Sequence, residues 1–242
     1  MAALPDASRS DLLDSLKPAD RNLIESCLSD VRYNAGQVIY EPGDNVDYCY
    51  FPTGSAISSY FVELECGTVV ETILVGREGA LGGVVSKGML PAYARANVLH
   101  EGTFRRISLK DLDAAKENSS AIANLFARYA DCVMAQVFQS IACNAVHTIE
   151  QRAAKWLTAA VDRIGRHEVT MTQEQLASMM GIGRSYASRV LQRFKKDGLL
   201  RTRRGGLEIL DHDGLLDRAC ACNDNVARHF DTVLGGVYPH GS

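Results

Sequence analysis

The spacing of apolar residues changes character along the chain. Near the start, Leu12, Leu13 and Leu16 form one short stripe. Pro18-Ala19-Asp20 then opens another, carrying Leu23, Ile24, Cys27 and Leu28. Both read as short helices. From Val31 the period shortens, and Val, Ile, Tyr, Phe and Thr dominate. Asn34-Ala35-Gly36, Pro42-Gly43-Asp44, Pro52-Thr53-Gly54 and Cys66-Gly67 punctuate this stretch. Short strands with turn signals about 8–12 residues apart predict an antiparallel sandwich or barrel. ARANVLHEGTFRRISL supplies two further strands.

The pattern then becomes helical. Asp111 to Lys116 is a short helix. From about Ser119, apolar residues fall at Ile122, Leu125, Phe126, Tyr129, Cys132, Val133, Val137 and Ile141. A helix of about 24 residues would extend about 36 Å, more than a small domain needs. Its charges are few, Arg128 and Asp131. The stripe predicts a dimer seam through Ile122, Phe126, Tyr129, Val133 and Val137. The alternative is a helix packed only on its own β domain. The helical pattern weakens at Asn144-Ala145-Val146-His147, and Thr148-Ile149-Glu150-Gln151 has the form of a capping box. It opens a helix with Ala153, Trp156, Leu157, Ala160, Val161 and Ile164 on one face. A boundary near His147 divides the chain into a β-roll (residues 1–118), a long helix and hinge (119–147) and a C-terminal unit (148–242).

The informative segment is VTMTQEQLASMMGIGRSYASRVLQRFKKDGLLRTRRGGLEIL. Thr172-Gln173-Glu174-Gln175 is a second capping box, opening a helix with Leu176, Met179 and Met180. Gly181-Ile182-Gly183 makes a turn, and another helix runs from about Arg184 to Lys196. Its inward face is Ala187, Val190, Leu191 and Phe194. Its outward face is Arg184, Ser185, Tyr186, Ser188, Arg189, Gln192 and Arg193. Two short helices joined by a glycine turn, the second basic and polar outside, describe a helix-turn-helix. The hairpin that follows carries Arg201, Arg203 and Arg204 near its tip and reads as a wing. A helix entering the major groove must offer Arg, Ser or Gln to base edges, while surrounding cations neutralise phosphates. A small helical core with a solvated charged face would not need the turn, both caps and the wing to agree.

Composition sharpens this picture. The 242 residues are 46% apolar and 23% charged, ordinary for a globular chain that buries its own core. The net charge of −3 averages over unlike parts. Residues 1–120 hold 11 Lys and Arg against 17 Asp and Glu, whereas residues 165–211 hold 9 against 5. An acidic front and a locally basic back are consistent with a second domain that meets a polyanion. No apolar run is long enough to span a membrane. The N-terminal Asp6, Arg9, Asp11 and Asp14 interrupt the apolar run a secretory signal requires, so a cytoplasmic protein is expected. The seven cysteines have irregular spacing and no CxxC, and are expected as reduced thiols. No GxSxG, HExxH or P-loop occurs, so no enzyme is expected.

The order β-roll, long helix, second helix, helix-turn-helix and wing resembles the CRP/FNR superfamily of bacterial transcription regulators. The resemblance covers roughly Leu16 to Asp211. AGQVIYEPGDNVDYCYFPTGSA and TQEQLASMMGIGRSYASRVLQRFKKDGLL carry it most specifically. It implies an α+β fold: an N-terminal antiparallel, jelly-roll-like β-roll, a long dimerisation helix and a C-terminal winged helix-turn-helix. It also implies a homodimer whose recognition helices enter successive major grooves of an inverted repeat. Arg184 and Arg189 match positions where the family contacts bases or nearby phosphates. Ser185 stands where several members carry a glutamate that reads a cytosine, so a different operator is expected.

The effector site departs from the cyclic-nucleotide pattern. Gly76 and Glu78 match the ribose-binding Gly-Glu pair loosely, with one residue inserted. Ala92-Tyr93 stands where the phosphate-binding Arg-Ser pair would be, with Arg95 nearby but out of register. Val137 and Phe138 fall near the base-contacting positions and offer no polar group. Cyclic nucleotide binding is therefore not expected. The first 26 residues hold no cysteine, against the family's iron–sulfur sensors. Cys220-Ala221-Cys222 could take a soft metal or respond to oxidation, but no third or fourth ligand lies at metal spacing. His147 reads as a capping or core histidine. The expected partners are double-stranded DNA, a second copy, RNA polymerase and an unidentified small effector, with no membrane, metal or cofactor. A second reading remains open, in which a β-roll ligand or redox event is required to unmask DNA binding.

Overall fold

The computed structural model describes residues 9–88 and 90–238. Two short helices, α1 (Asp11–Asp14) and α2 (Pro18–Glu25), precede the strands. These are β1 (Ser29–Tyr33), β2 (Val38–Tyr40), β3 (Tyr48–Pro52), β4 (Ile57–Glu63), β5 (Val69–Val75), β6 (Arg95–His100) and β7 (Gly102–Ser108). They form two antiparallel sheets, ordered β1-β7-β3 and β2-β6-β4-β5. This is the expected β-roll. α3 (Leu109–Asn118) follows, capped by Ser108, whose hydroxyl accepts from the Asp111 amide.

The long helix α4 runs from Ser120 to Val146, 27 residues. Ser119 caps it by accepting from the Ile122 amide, and its own hydroxyl donates to Asp20 at 2.6 Å. After a break at His147 comes α5 (Ile149–Ile164), whose capping box between Thr148 and Gln151 forms as the sequence predicts. The helix-turn-helix and wing are α6 (Gln173–Met180), α7 (Arg184–Lys196) and the hairpin β9 (Leu200–Arg203) and β10 (Gly206–Ile209). A short β8 (Glu168–Val169), not foreseen in the sequence, pairs with β10 and widens the wing to three strands. α8 (His212–Arg218) and α9 (Cys222–Leu234) close the chain. No described helix is long and apolar enough to cross a membrane.

Two apolar cores organise these elements. The first gathers Leu12, Phe51, Phe104, Ile107 and Leu112 of the β-roll with Ile122, Leu125, Phe126 and Tyr129 of α4. Phe230 of α9 and Val237 join this core, and Arg128 on α4 donates to the Val233 carbonyl at 2.7 Å. α9 thus leaves the unit expected over 148–242 and packs on α4 instead. The second core joins Leu157, Leu176, Leu191, Phe194, Leu200, Leu207 and Leu215. Ile57, Phe61 and Leu74, from β4 and β5, also belong to it. The face of the β-roll sheet therefore forms one wall of the winged helix-turn-helix unit. Ser178 on α6 fixes the contact by donating to the Val69 carbonyl at 2.9 Å.

This packing corrects the expected dimer seam. Ile122, Phe126 and Tyr129 are at most 2% exposed within a single chain. The Tyr129 hydroxyl accepts from the Ala80 amide at 2.9 Å and donates to the Ala80 carbonyl at 3.0 Å. These side chains face the β-roll and α9 and have no surface left for a partner. Val133 and Val137 are half-buried. The large apolar residues that α4 leaves outside are Met134, Phe138, Ile141 and, at its last position, Val146, each more than half exposed.

Candidate nucleic-acid interface

The turn between α6 and α7 depends on backbone geometry. Gly181 ends α6 with φ +64°, a left-handed conformation that a Cβ disfavours. Thr172 and Gln175 cap the other end of α6 in a reciprocal box. Each such cap contributes about 1 kcal/mol. α7 buries Ala187, Val190, Leu191 and Phe194, the face the periodicity marks. Arg184, Ser185, Tyr186, Arg189, Gln192 and Arg193 are exposed, and Ser188 is half-buried. The Arg189 guanidinium lies over the Tyr186 ring, 5.0 Å from its centroid. Arg193 is tied to Glu150 on α5 at 2.5 Å. The α7 face and the wing are thus presented outward while α5 and α6 dock on the β-roll.

On the wing, Arg204 and Gly205 form the turn between Arg203 and its paired partner Gly206. All three arginines are exposed, but they are not equivalent. Glu208 on β10 holds Arg201 in two bonds at 2.7 and 2.8 Å and also binds Arg203. Hydrogen bonds from Arg201 and Arg203 pull the Glu208 carboxyl down to about 2. Arg204 makes no ion pair among the described residues. The sequence reading treated the three as one group; cross-strand pairing with Glu208 distinguishes them.

The expected effector residues do not converge. Glu78 accepts from the Gly76 amide at 3.1 Å and pairs with Arg163 of α5 at 2.9 Å, so its carboxylate is already engaged. Its carboxyl is held below the usual range, because Arg163 and backbone amides outweigh burial. Tyr93 is 86% exposed. Arg95 pairs with Glu41 at 2.6 Å. Phe138 points outward, and Val137 does not line the nearest cleft. That cleft, about 380 Å³, lies between β5, α4, α5 and α9. Glu71 and Gln136 line it, as do Arg152, Lys155, Trp156 and Arg163. Burial pushes the Glu71 carboxyl up to about 7, against a hydrogen bond from Ser59 and the charges of Lys155 and Arg163.

Cys220 and Cys222 are buried at the start of α9, and the fold brings Cys143 and His147 from the end of α4 against them. Burial would raise the Cys143 thiol, but the His147 hydrogen bond and the Lys155 charge outweigh it and bring it to about 7. In the sequence the Cys-x-Cys pair and His147 stand more than seventy residues apart, and Cys143 belongs to no motif. The signal was present in the spacing, since Cys143 and His147 lie four apart across the end of α4.

Residues 151–218 match the family model of the Crp-like helix-turn-helix domain. Over 80–86% of its length the chain is similar in fold to solved structures that include CRP/FNR-family regulators. FixK2 from Bradyrhizobium japonicum superposes with a TM-score of 0.67 at 16% identity, covering 80% of this chain and 98% of its own. A CRP/FNR-family regulator from Eubacterium rectale gives 0.65 at 18% identity, covering 86% of this chain and 96% of its own. The c-di-GMP-responsive regulator CLP of Xanthomonas campestris gives 0.65 at 15%, covering 80% and 99%. No curated protein sequence matches the chain. The CRP/FNR fold accounts for the arrangement of β-roll, long helix and winged helix-turn-helix.

Proposed function

We propose that this CRP/FNR-type chain is a sequence-specific transcription regulator that binds an inverted-repeat operator as a homodimer, without cyclic nucleotide. The observation that carries the reading is the exposed polar face of α7, flanked by the wing and supported from behind by a complete apolar core. Arg184 and Arg189 would reach base edges, with Ser185, Tyr186, Ser188 and Gln192 beside them. Arg201, Arg203, Arg204 and Arg193 would meet phosphates, which position the protein without reading sequence. Met134, Phe138 and Ile141 form an outward stripe at helical spacing, which suits pairing of two long helices. Half-sites would then lie about one helical turn apart. RNA polymerase is the partner through which such a dimer would act.

Independence from cyclic nucleotide rests on two features. Glu78 is committed to Arg163, and the position that would carry a phosphate-binding arginine is Ala92-Tyr93, with Tyr93 in solvent. A buried phosphate without its cation is strongly disfavoured. A second reading has support from α5 and α6 docking on β4 and β5. There, a small effector entering the cleft would shift the DNA-binding unit and unmask α7.

Operator selection from random duplexes, followed by titrations at several salt concentrations, tests the proposal. Arg184→Ala and Arg189→Ala should each cost about 1–3 kcal/mol on the selected site, with much less loss on random DNA. Arg204→Ala should weaken both alike and reduce the salt slope by roughly 1. Wing variants that lost specificity while the α7 variants kept it would overturn the assignment. DNA binding that appeared only when cell extract was added would favour the second reading.

A further inference from the structure

We propose that Cys143, His147, Cys220 and Cys222 form a tetrahedral site for a zinc-class divalent cation, which clamps the end of α4 to the α8–α9 connection. Their ligand atoms all lie within 4.8 Å of one another. The Cys143 and Cys220 sulfurs are 3.6 Å apart, and Cys222 Sγ lies 3.5 Å from His147 Nδ1. Zinc bonds of about 2.3 Å to sulfur and about 2.05 Å to nitrogen make tetrahedral edges of roughly 3.8 Å (S–S) and roughly 3.6 Å (S–N). Both of these pairs already stand near those lengths, and the widest allowed pair needs to close by about 1 Å to reach them.

The alternative is that these are small apolar fillers. Their surroundings argue against it. The three sulfurs form a cluster of their own, apart from both apolar cores. Their neighbours are hydrogen-bond donors. Gln139 Nε2 donates to Cys222 Sγ at 3.1 Å, and Lys155 Nζ to Cys143 Sγ at 3.5 Å. Donors aimed at sulfur stabilise thiolates and orient them as ligands. Three thiolates, a neutral imidazole and a divalent cation leave one negative charge, which Lys155 would offset.

Helix geometry and chain topology explain the assembly. Cys143 and His147 lie one turn apart at the end of α4, where the His147 amide donates to the Cys143 carbonyl at 3.0 Å. Cys220 and Cys222 flank the first residue before α9. Asn223 ties α9 to α5 by donating to the Lys155 carbonyl at 3.0 Å. The cluster thus sits at the break between α4 and α5, where the β-roll side of the molecule passes into the DNA-binding unit. A bound cation would fix that hinge and, with it, the angle at which α7 is presented.

Elemental analysis of the full-length protein, purified under reducing conditions from zinc-replete cells, should find about one zinc per chain. Exchange with cobalt(II) should give the intense ligand-field bands of a tetrahedral centre and a thiolate-to-cobalt charge-transfer band. Cys220→Ser and Cys222→Ser should each weaken metal affinity by at least about tenfold, since each removes a direct ligand. Cys27→Ser and Cys66→Ser, at exposed thiols outside the cluster, should leave it unchanged. Should the cluster variants fail to fold, the cobalt spectrum of the unaltered chain decides alone, because its charge-transfer intensity counts the bound thiolates. The proposal is overturned if the reduced unaltered chain binds neither zinc nor cobalt. It is equally overturned by undiminished binding in both folded serine variants. Iron with acid-labile sulfide, or a Cys143–Cys220 disulfide persisting under reduction, would overturn it too.

Discussion

The two halves of α4 are written in similar residues and used in opposite ways. In the first, Ile122, Leu125, Phe126 and Tyr129 face the β-roll and α9 and are lost to solvent within one chain. In the second, Met134, Phe138 and Ile141 lie on the side turned away from that stripe and stand more than half exposed. The inward stripe continues through Val133, Gln136, which donates to the Leu74 carbonyl of β5, and the buried Cys143, so the exposed residues form a second stripe on the opposite face. The DNA-binding unit repeats the contrast: α6 is packed onto β5, whereas the outer face of α7 is open. Apolar periodicity identifies a buried or buriable face; what covers it depends on neighbours far away in sequence.

Four substitutions sharpen that contrast, from the largest effect to the smallest. Tyr129→Ala, in the closed half, removes a fully buried ring and both hydrogen bonds to Ala80. Chemical denaturation should show a loss of about 3–5 kcal/mol. A loss below about 1 kcal/mol would mean that this half of the helix is not core. Phe138→Asp, in the open half, should leave the stability of the single chain within about 0.5 kcal/mol. It should nonetheless weaken dimerisation by about 2–4 kcal/mol, because each copy carries the change. Sedimentation that still reports an undiminished dimer would sink the revised seam.

The third test concerns Glu71, at the closed junction of β5 with α5. Its carboxyl titrates at about 7 in the folded chain and, at its ordinary value, near 4.5 in the unfolded one. Between these values the folded form retains a proton that the unfolded form has released, so stability from this group falls as pH rises. Glu71→Gln removes that dependence. At pH 8 the variant should be more stable than the parent by about 1–2 kcal/mol, and near pH 4.5 the two should agree. Denaturation at both values checks this, and an equal difference at the two would refute it. The smallest effect is expected from Glu208→Gln on the wing. Releasing Arg201 and Arg203 should raise affinity for random DNA modestly and steepen its salt dependence. Unchanged binding at low salt would show that Glu208 does not restrain them.

Much of this was legible from local signals. The capping boxes at Thr148 and Thr172, the glycine turn and the inward face of α7 formed where the spacing put them, because each is decided within a few residues. The missed features are non-local. β8 is only two residues long, and it pairs with a strand nearly forty residues later. Tyr93 stands at the matched effector position in sequence and Arg95 beside it, but both lie outside the cleft in space. Glu208, part of no motif, gains significance only through its cross-strand partner Arg201.

The sequence by itself determined the β-roll, the long helix and the winged helix-turn-helix, since turn chemistry, capping and hydrophobic period act over short stretches. Tertiary structure alone decided which apolar residues of α4 were consumed internally. It decided that the DNA-binding unit leans on β4 and β5. It also joined Cys143 and His147 to a Cys-x-Cys pair more than seventy residues away. The physical reason is common to all three: burial and ligand geometry are set by which surfaces meet, and here the meeting surfaces come from distant parts of the chain.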